Sequence, residues 1–392
     1  MSITYSRRVE AIKPSPTLAV TAKAAALRAE GKDIISLGAG EPDFSTPDHV
    51  KQAAIEAIHN NLTRYTPVDG TKELKQAVIN KFERENKLRY AHNQIMVSCG
   101  AKQIIFNLAL AILDQGTEML IPAPYWVSYP DITKIADARP VIIKTSRKQR
   151  FKITPEQLEE AINPNTRLFM LNSPSNPSGV AYTKAELRGL AEVLQCHPQV
   201  YIATDDIYEH IVWSKEPFAN IAMVCPELRD RTIVINGVSK AYAMTGWRIG
   251  YAGGPEDIIS RMKKIQSQST SNPCSISQAA ATAALDGDQS SLQTMVAEFK
   301  KRHDFIVEQL NIIDGVNVDP ADGAFYSFPE VNGLIAHLEG VNNDIEFAEY
   351  VLDKVGVAVV PGSAFGLEGY VRLSFATSMD NLEKAVYRLQ QL

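Results

Sequence analysis

The sequence predicts an α/β protein, with a mainly parallel sheet covered by helices in a large domain and a second, smaller α+β domain. Between Gln94 and Gly254, short apolar runs alternate with amphipathic stretches, which is typical of strand–helix–strand units. Beyond Pro273 this alternation gives way to one long helical stretch, short strands and two further helices. We expect the large domain to span residues 48–296, and the small domain to combine residues 1–47 with residues 297–392.

Composition and charge exclude several classes of protein. The 392 residues suffice for two or three domains, and a net charge of −5 without a basic run argues against a nucleic-acid partner. Neither a signal peptide nor an apolar run of the ~20 residues that span a membrane is present. The four cysteines are widely spaced, and no group of His and Cys has the spacing of metal ligands. We therefore predict a cytoplasmic protein without a membrane segment or a metal.

The N-terminal quarter reads as helices separated by glycine-containing loops. A threonine cap and a proline at the first helical position mark the helix that begins at Thr46-Pro47. Predicted in order are a helix at 17–30, a strand at 34–37, a helix at 46–60, a loop at 61–70 and a helix at 71–87.

Apolar runs with glycine or proline punctuation predict the strands of the large domain. Two capping boxes, Thr154 with Gln157 and Thr183 with Glu186, mark helix starts between them. The predicted strands are 95–98, 118–121, 167–171, 200–204, 232–236 and 248–252, with helices at 100–113, 290–311 and 344–355, and a last one after Ser378.

Polar residues stand where these strands end. Gly100, Asn176, Asp205 and Lys240 each follow an apolar strand, and ligands of open parallel sheets bind beyond the carboxyl ends of the strands. Taken singly, each residue has an ordinary interpretation as a turn, a helix cap or a surface lysine. Their shared position predicts one binding crevice.

The chemistry of this crevice points to pyridoxal phosphate. Lys240 and Arg248 lie in a stretch, 232–254, that contains no carboxylate, and a desolvated lysine becomes nucleophilic. A Schiff-base lysine, an aspartate for a ring nitrogen and an anion site at a helix start are what this cofactor requires. Gly100-Ala-Lys102 supplies such a helix start, and Arg248 can add a charged fork to the same phosphate.

Several motifs carry a resemblance that covers essentially the whole chain. The sequence resembles the class I pyridoxal-phosphate aminotransferases, and within them the branch of bacterial aspartate and prephenate aminotransferases. That resemblance implies the fold type I of pyridoxal-phosphate-dependent transferases and a homodimer with shared active sites. Its carriers are Ala39–Phe44, Arg64–Pro67, Pro124–Tyr129, Asn172–Pro177, Asp205–Tyr208, Ser239–Arg248 and Val371–Thr377.

The resemblance also implies a role for each site residue. Lys240 would hold the cofactor as a Schiff base and shuttle the proton between Cα and C4′, while Asp205 would keep the pyridine nitrogen protonated. Tyr208 and Asn176 would bind the ring oxygen, and Trp126 would stack on the ring. Tyr65 would reach the phosphate of the neighbouring subunit. The remaining cofactor-binding residues would be Gly100, Ala101, Lys102, Ser239 and Arg248.

Substrate residues follow in the same way. Arg372, the single charge in the alternating strand 370–376, would clamp the α-carboxylate, helped by Asn176, Trp126 and the backbone at Gly40. Lys102 and Thr17 would contact a distal carboxylate. Other interpretations stay open: an internal salt bridge for Arg372, a solvated helix residue for Lys102 and a helix cap for Thr17.

The predicted function is transfer of the amino group of aspartate, with glutamate or prephenate as further partners, to 2-oxoglutarate or another 2-oxo acid by a ping-pong mechanism. A β-lyase, a decarboxylase or an aminotransferase for aromatic amino acids is an alternative on the same scaffold. The intact set Lys240, Asp205 and Arg372 argues against a non-catalytic, amine-sensing regulator. Two departures from the animal-type enzymes, Gly237 in place of a serine and Tyr129 in place of a histidine, leave the surroundings of the cofactor open.

Overall fold

The computed structural model describes residues 5–392 of the chain. It divides into a large mixed sheet with helices on both faces and a region of small sheets. The strands are β1 (Ile35–Ser36), β2 (Ile95–Ser98), β3 (Glu118–Pro122), β4 (Arg139–Ile143), β5 (Thr166–Asn172), β6 (Tyr201–Asp205), β7 (Thr232–Gly237), β8 (Gly250–Gly253), β9 (Tyr326–Ser327), β10 (Val357–Ala358), β11 (Val360–Pro361) and β12 (Val371–Ser374).

Helices surround and connect these strands, and none within residues 5–392 is long and apolar enough to cross a membrane. The α-helices are α1 (Arg7–Glu10), α2 (Pro16–Ala29), α3 (Asp48–His59), α4 (Lys72–Lys81), α5 (Ala101–Ile112), α6 (Ser128–Ile135), α7 (Pro155–Ala161), α8 (Lys184–Gln195), α9 (Ile221–Val224), α10 (Glu256–Ser267), α11 (Ser275–Asp286), α12 (Ser290–Leu310), α13 (Asn332–Ile335), α14 (Asp344–Val355) and α15 (Met379–Leu389).

The large sheet has the strand order β2-β8-β7-β6-β5-β3-β4, in which β8 alone runs antiparallel to its neighbours. Side chains of a strand alternate between its two faces, so β5 contributes to two cores. Leu168 and Met170 pack with α5 and α10, whereas Phe169 and Leu171 pack with α8. The mainly parallel sheet covered by helices, as predicted, is confirmed.

The N-terminal segment joins the C-terminal part of the chain. Strand β1 pairs in parallel with β10, Ile35 facing Val357, while β11, β12 and β9 form a separate antiparallel sheet that carries Arg372. This pairing agrees with a small domain built from both ends of the chain, although α12 runs unbroken across the predicted boundary at residues 296 and 297. The boundaries remain a prediction, and residues 1–4 of the predicted small domain lie outside the described residues.

Both predicted capping boxes are present, and the helices that they begin are α7 and α8. Three other predicted boundaries are wrong. Arg248 does not start β8: it follows the short turn Thr245–Trp247 and itself has a left-handed backbone (φ +57°), and the strand begins at Gly250. Pro47, not Thr46, is the residue that precedes α3, because the Thr46 hydroxyl donates to the Ala243 carbonyl, 2.7 Å away. The helix predicted to reach residue 87 ends as α4, and a π-helical turn, Phe82–Asn86, follows it.

Candidate active site

A cavity of about 300 Å³ lies where β5, β6 and β7 end, at the edge of the sheet that the sequence indicated. Two of the predicted site residues do not line it: Gly100 lies just behind it, and the Tyr65 side chain is 92% exposed on the surface of the subunit. The predicted residues that do line it are Thr17, Gly40, Ala101, Lys102, Trp126, Asn176, Asp205, Tyr208, Ser239, Lys240, Arg248 and Arg372.

Lys240 lies in the turn that follows β7, and its Nζ donates to the Gly40 carbonyl, 2.5 Å away. Burial lowers the pKa of Lys240 to about 8; the carboxylate of Glu41 opposes this shift, and the charges of Arg372 and Arg248 add to it. A lysine whose pKa lies near 8 is partly neutral at physiological pH, and the neutral amine is the nucleophile.

Asp205 ends β6 with its carboxylate inside the cavity. Burial raises the pKa of Asp205 to about 6, and the hydrogen bond from the Tyr129 hydroxyl, 2.6 Å away, opposes that shift. Tyr129 thus takes the supporting position that the sequence left open. No cation lies within 4 Å of this carboxylate among the residues that the structure describes. A buried acid in this state suits a protonated ring nitrogen as its partner.

Arg372 is buried in the middle of β12, with 2% of the residue exposed. Its Nη1 donates to Asn176 Oδ1 at 3.0 Å and its Nη2 donates to the Gly38 carbonyl at 2.7 Å. Its Nε hydrogen has no acceptor, and no carboxylate within residues 5–392 pairs with it. The internal salt bridge is therefore wrong as an account of Arg372, and a carboxylate ligand would offset the cost of this buried charge.

The helix start beside Lys240 has the form of an anion site. Gly100 has φ +92°, and a Cβ there would lie 2.2 Å from Nη2 of Arg248, so glycine leaves the space that Arg248 occupies. The first N–H groups of α5 have no acceptor within the helix. Arg248 donates to the carbonyls of Thr245 and Cys99, and no carboxylate within residues 5–392 forms an ion pair with it.

Gly237, the first departure from the animal-type pattern, has a steric explanation. A Cβ at this position would lie 2.9 Å from the Ile249 carbonyl oxygen, because β8 runs antiparallel and close beside the end of β7. The backbone leaves no room here for the serine found in those enzymes.

Lys102 and Thr17 both line the cavity. Lys102 is exposed, and its Nζ lies 4.8 Å from the centre of the Trp126 ring, with no carboxylate partner in the described chain. Although the residue is exposed, the protein atoms around the ammonium partly desolvate it, and this desolvation, followed by repulsion from Arg248, lowers the pKa of Lys102. Thr17 is the second residue of α2, so it is not the helix cap; that position belongs to Ser15.

The residues present fit pyridoxal phosphate. Four cations line the cavity against a single carboxylate, Asp205, among the described residues, which suits a ligand with a phosphate and a substrate with one or two carboxylates. The cations are Lys102, Lys240, Arg248 and Arg372.

Sequence reasoning missed two contributors. Asn172 accepts from the Asn176 backbone and donates to the Asp205 carbonyl, 2.8 Å away in each case, and thereby links two strand ends. It opens the motif 172–177, so a signal existed. Tyr326 also lines the cavity, and its ring lies under Arg372; nothing in its local sequence marks it.

The sheet, the lysine beyond β7 and the aspartate at the end of β6 place the protein in the class of pyridoxal-phosphate-dependent enzymes of fold type I. Residues 32–389 match the family described as aminotransferase class I and II, and the chain belongs to this family, whose members of the aspartate aminotransferase branch depend on pyridoxal phosphate.

Relatives match over almost the whole chain. An aspartate/prephenate aminotransferase from Nitrosomonas europaea is 59% identical over 99% of both chains. The structure of the aspartate aminotransferase from Rhizobium meliloti superposes with a TM-score of 0.96 at 49% identity, over 100% of this chain and 98% of that one. The aspartate aminotransferase from Thermus thermophilus with maleate superposes with a TM-score of 0.93 at 41% identity, over 100% of each chain.

Proposed function

We propose that this aminotransferase takes the amino group of aspartate, and of the related substrates glutamate and prephenate, and transfers it to 2-oxoglutarate or another 2-oxo acid. The observation that carries the proposal is a pair of cations, Arg372 and Lys102, that line one cavity and form no ion pair with a carboxylate of the described residues. Two such cations match a substrate with two carboxylates. The names of the relatives support it, as does the structure of the Thermus enzyme with maleate, which is a dicarboxylate.

The proposed roles follow from the contacts. Arg372 grips the α-carboxylate with its free edge, held in orientation by Asn176 and Gly38. Nζ of Lys240 holds the cofactor and, once released, carries the proton to and from the substrate Cα. Asp205, supported by Tyr129, keeps the ring nitrogen protonated. Pyridoxal phosphate, when bound, supplies the sink for the electrons released at Cα.

Three further groups orient the cofactor. The Tyr208 hydroxyl and the Asn176 amide would bind the ring oxygen, and Trp126 would cover the ring. The start of α5, from Gly100 to Lys102, would hold the phosphate together with Ser239 and Arg248. Both amino acids enter the same cavity in turn, which corresponds to the ping-pong mechanism.

The active unit is a cytoplasmic homodimer, with a large domain at 48–296 and a small domain at 1–47 and 297–392. Its support is a run of exposed apolar and aromatic side chains on α3 and in the segment that follows it, here called the apolar strip: Ile55, Ile58, Leu62 and Tyr65. Exposed apolar side chains grouped in this way mark interfaces. Tyr65 belongs to the strip. If a second subunit covers the strip, the Tyr65 hydroxyl of one subunit would reach the phosphate site of the other.

A substrate panel tests the proposal. Loss of a charged hydrogen-bond partner costs ~1.5–3 kcal/mol, which is roughly 10- to 150-fold in kcat/KM. We expect Lys102→Gln to lower kcat/KM at least about tenfold for aspartate, glutamate and prephenate, and to leave alanine and phenylalanine nearly unchanged.

The substrate panel needs an inactive control, and two results would contradict the proposal. Lys240→Ala serves as the inactive control, because it removes both the attachment point and the proton carrier. Equal losses on substrates with one and with two carboxylates would remove Lys102 as the selector. Release of ammonia or CO₂ without consumption of the 2-oxo acid would favour the β-lyase or the decarboxylase.

A further inference from the structure

Tyr326 is a buried aromatic residue that the proposed roles leave without a task. It stands in β9 opposite Ser374 of β12, with 1% of the residue exposed, and it lines the active-site cavity. We propose that Tyr326 is a positioning residue with two separable parts: its ring face orients Arg372, and its hydroxyl sets the hydrogen bond of Tyr208. This inference rests on the proposed function, since it assigns these two partners their roles there.

The ring face of Tyr326 fixes the plane of the guanidinium. The guanidinium carbon of Arg372 lies 4.4 Å from the centre of the Tyr326 ring, and the Phe365 ring lies 5.1 Å from the same carbon. The attraction between a cation and an aromatic face is stronger in a desolvated site than at an exposed one, and arginine is well suited to such stacking. Nη1 and Nη2 already donate to protein acceptors, so Nε is the guanidinium nitrogen that has no acceptor among the described residues.

Among residues 5–392, the hydroxyl of Tyr326 has one hydrogen-bond partner, the hydroxyl of Tyr208, 2.9 Å away. Each phenol carries one proton. If Tyr208 donates its proton to the ring oxygen of the cofactor, Tyr326 must be the donor between the two phenols. Two phenols in a row polarise each other, so donation from Tyr326 makes Tyr208 the stronger donor. Burial raises the pKa values of both phenols, which keeps both protons in place at neutral pH.

The surrounding backbone leaves room for this hydroxyl. A Cβ on Gly40 would lie 3.2 Å from the Tyr326 hydroxyl oxygen, and the Gly40 carbonyl is the acceptor of Lys240 Nζ. Gly38, two residues earlier, supplies the acceptor of Arg372. The hydroxyl therefore lies under the short loop that contacts both the lysine and the arginine.

Tyr326→Phe separates the two parts, because it keeps the ring and removes the hydroxyl. We expect the KM of every amino acid to change less than about threefold, and the pH midpoint of the visible absorbance of the cofactor-loaded protein to rise by about 0.3–1 unit. Without the Tyr326 hydroxyl, Tyr208 donates a weaker hydrogen bond to the ring oxygen of the cofactor. That oxygen then carries more negative charge and stabilises the proton on the nitrogen that joins Lys240 to the cofactor, so the midpoint rises. Tyr326→Leu removes the ring as well. It should raise KM about tenfold or more, both for substrates with one carboxylate and for substrates with two.

A double-substitution cycle tests the route of the effect. If Tyr326 acts through Tyr208, adding Tyr326→Phe to Tyr208→Phe should leave the midpoint where Tyr208→Phe alone puts it. Tyr182→Phe is the matched control, since the Tyr182 hydroxyl is also buried but accepts from the Ile153 backbone outside the cavity. It should leave both the midpoint and KM unchanged.

The contrary outcomes are separate for each part. A folded Tyr326→Phe variant with an unchanged midpoint, or additive shifts in the double variant, overturns the role of the hydroxyl; this conclusion stands even if Tyr326→Leu does not fold. An unchanged KM in a folded Tyr326→Leu variant overturns the role of the ring. The midpoint is measured without substrate, so failure of the wild-type protein to transaminate dicarboxylic substrates would reject the proposed function and leave this measurement intact.

Discussion

The residue Asp205 is buried without a paired cation among the described residues, and this burial disfavours its ionised form. Its pKa is about 6 in the folded, cofactor-free protein because of burial, against 3.8 for an exposed aspartate, so the folded state binds more protons than the unfolded state between about pH 4 and 6. Stability contributed by this group is therefore lost as pH rises through that window. The difference of about two pH units corresponds to roughly 3 kcal/mol.

Asp205→Asn removes this titration. We expect the variant to gain stability relative to the wild type as pH rises from 4 to 7, reaching about 3 kcal/mol, in denaturant unfolding of the cofactor-free proteins. Asp257→Asn on α10 removes an exposed carboxylate and should show no such gain. Parallel stability curves for the wild type and Asp205→Asn would mean that Asp205 is not strained by burial. With the cofactor bound the order should reverse, because the ionised aspartate then has its cation.

A buried network of polar side chains stabilises the turn after β6, which carries Asp205 and Tyr208. Lys81, the last residue of α4, pairs with Glu209, which also accepts from Asn86 and Asn236, 2.8 Å away in each case. The network thus ties α4, the π-helical turn and β7 to the segment after β6. Glu209, Glu85 and His210 lie close enough to share a metal ion, but the Lys81 ammonium already lies within 4 Å of both carboxylates.

Lys81→Met should destabilise the protein strongly, because it leaves the Glu209 carboxylate buried without a cation. Breaking a buried pair in this way costs about 3–5 kcal/mol. Lys75→Met is the matched control: Lys75 also pairs with a buried carboxylate, Asp69, but Lys263 lies 2.9 Å from the same carboxylate and remains. We expect a clearly smaller loss for the control in urea unfolding. Equal losses in the two variants would show that the Lys81 charge does not stabilise this turn.

The strands and the turns that follow them explain why part of the site could be predicted from the sequence. Asp205, Asn176 and Lys240 follow directly on apolar runs, so a local pattern reveals where they leave the sheet. Tyr326 could not be found in this way, because its partners are brought to it only when β9 pairs with β12. Likewise, nothing local shows that Arg248 is left-handed two residues before β8, since the chain there runs into Gly250, which lies against the backbone of Gly100 and Ala101 from a distant part of the sequence.

In a single subunit, the apolar strip and the predicted site residue Tyr65 are exposed to solvent. The side chains of Ile58 on α3 and of Leu62 behind it are 51% and 52% exposed, and Tyr65 lies beyond them. If a second copy covers the strip, Ile58→Glu should shift the protein to monomers and lower cofactor affinity, measured by light scattering and cofactor titration. Ile345→Glu, an equally exposed isoleucine on α14, should do neither.

Mixing subunits tests whether Tyr65 serves the partner's site rather than its own. Tyr65→Phe should bind the cofactor roughly 10- to 150-fold more weakly, because a charged hydrogen bond to the phosphate is lost, and Lys240→Ala should be inactive. In a mixed dimer, the subunit with an intact Lys240 receives Tyr65 from its Lys240→Ala partner, so one of the two sites is complete. Random exchange makes half of the dimers mixed, and we expect about a quarter of wild-type activity at limiting cofactor. If Tyr65 instead acts within its own subunit, no dimer in the mixture contains a complete site, and activity should stay at the average of the two parent variants.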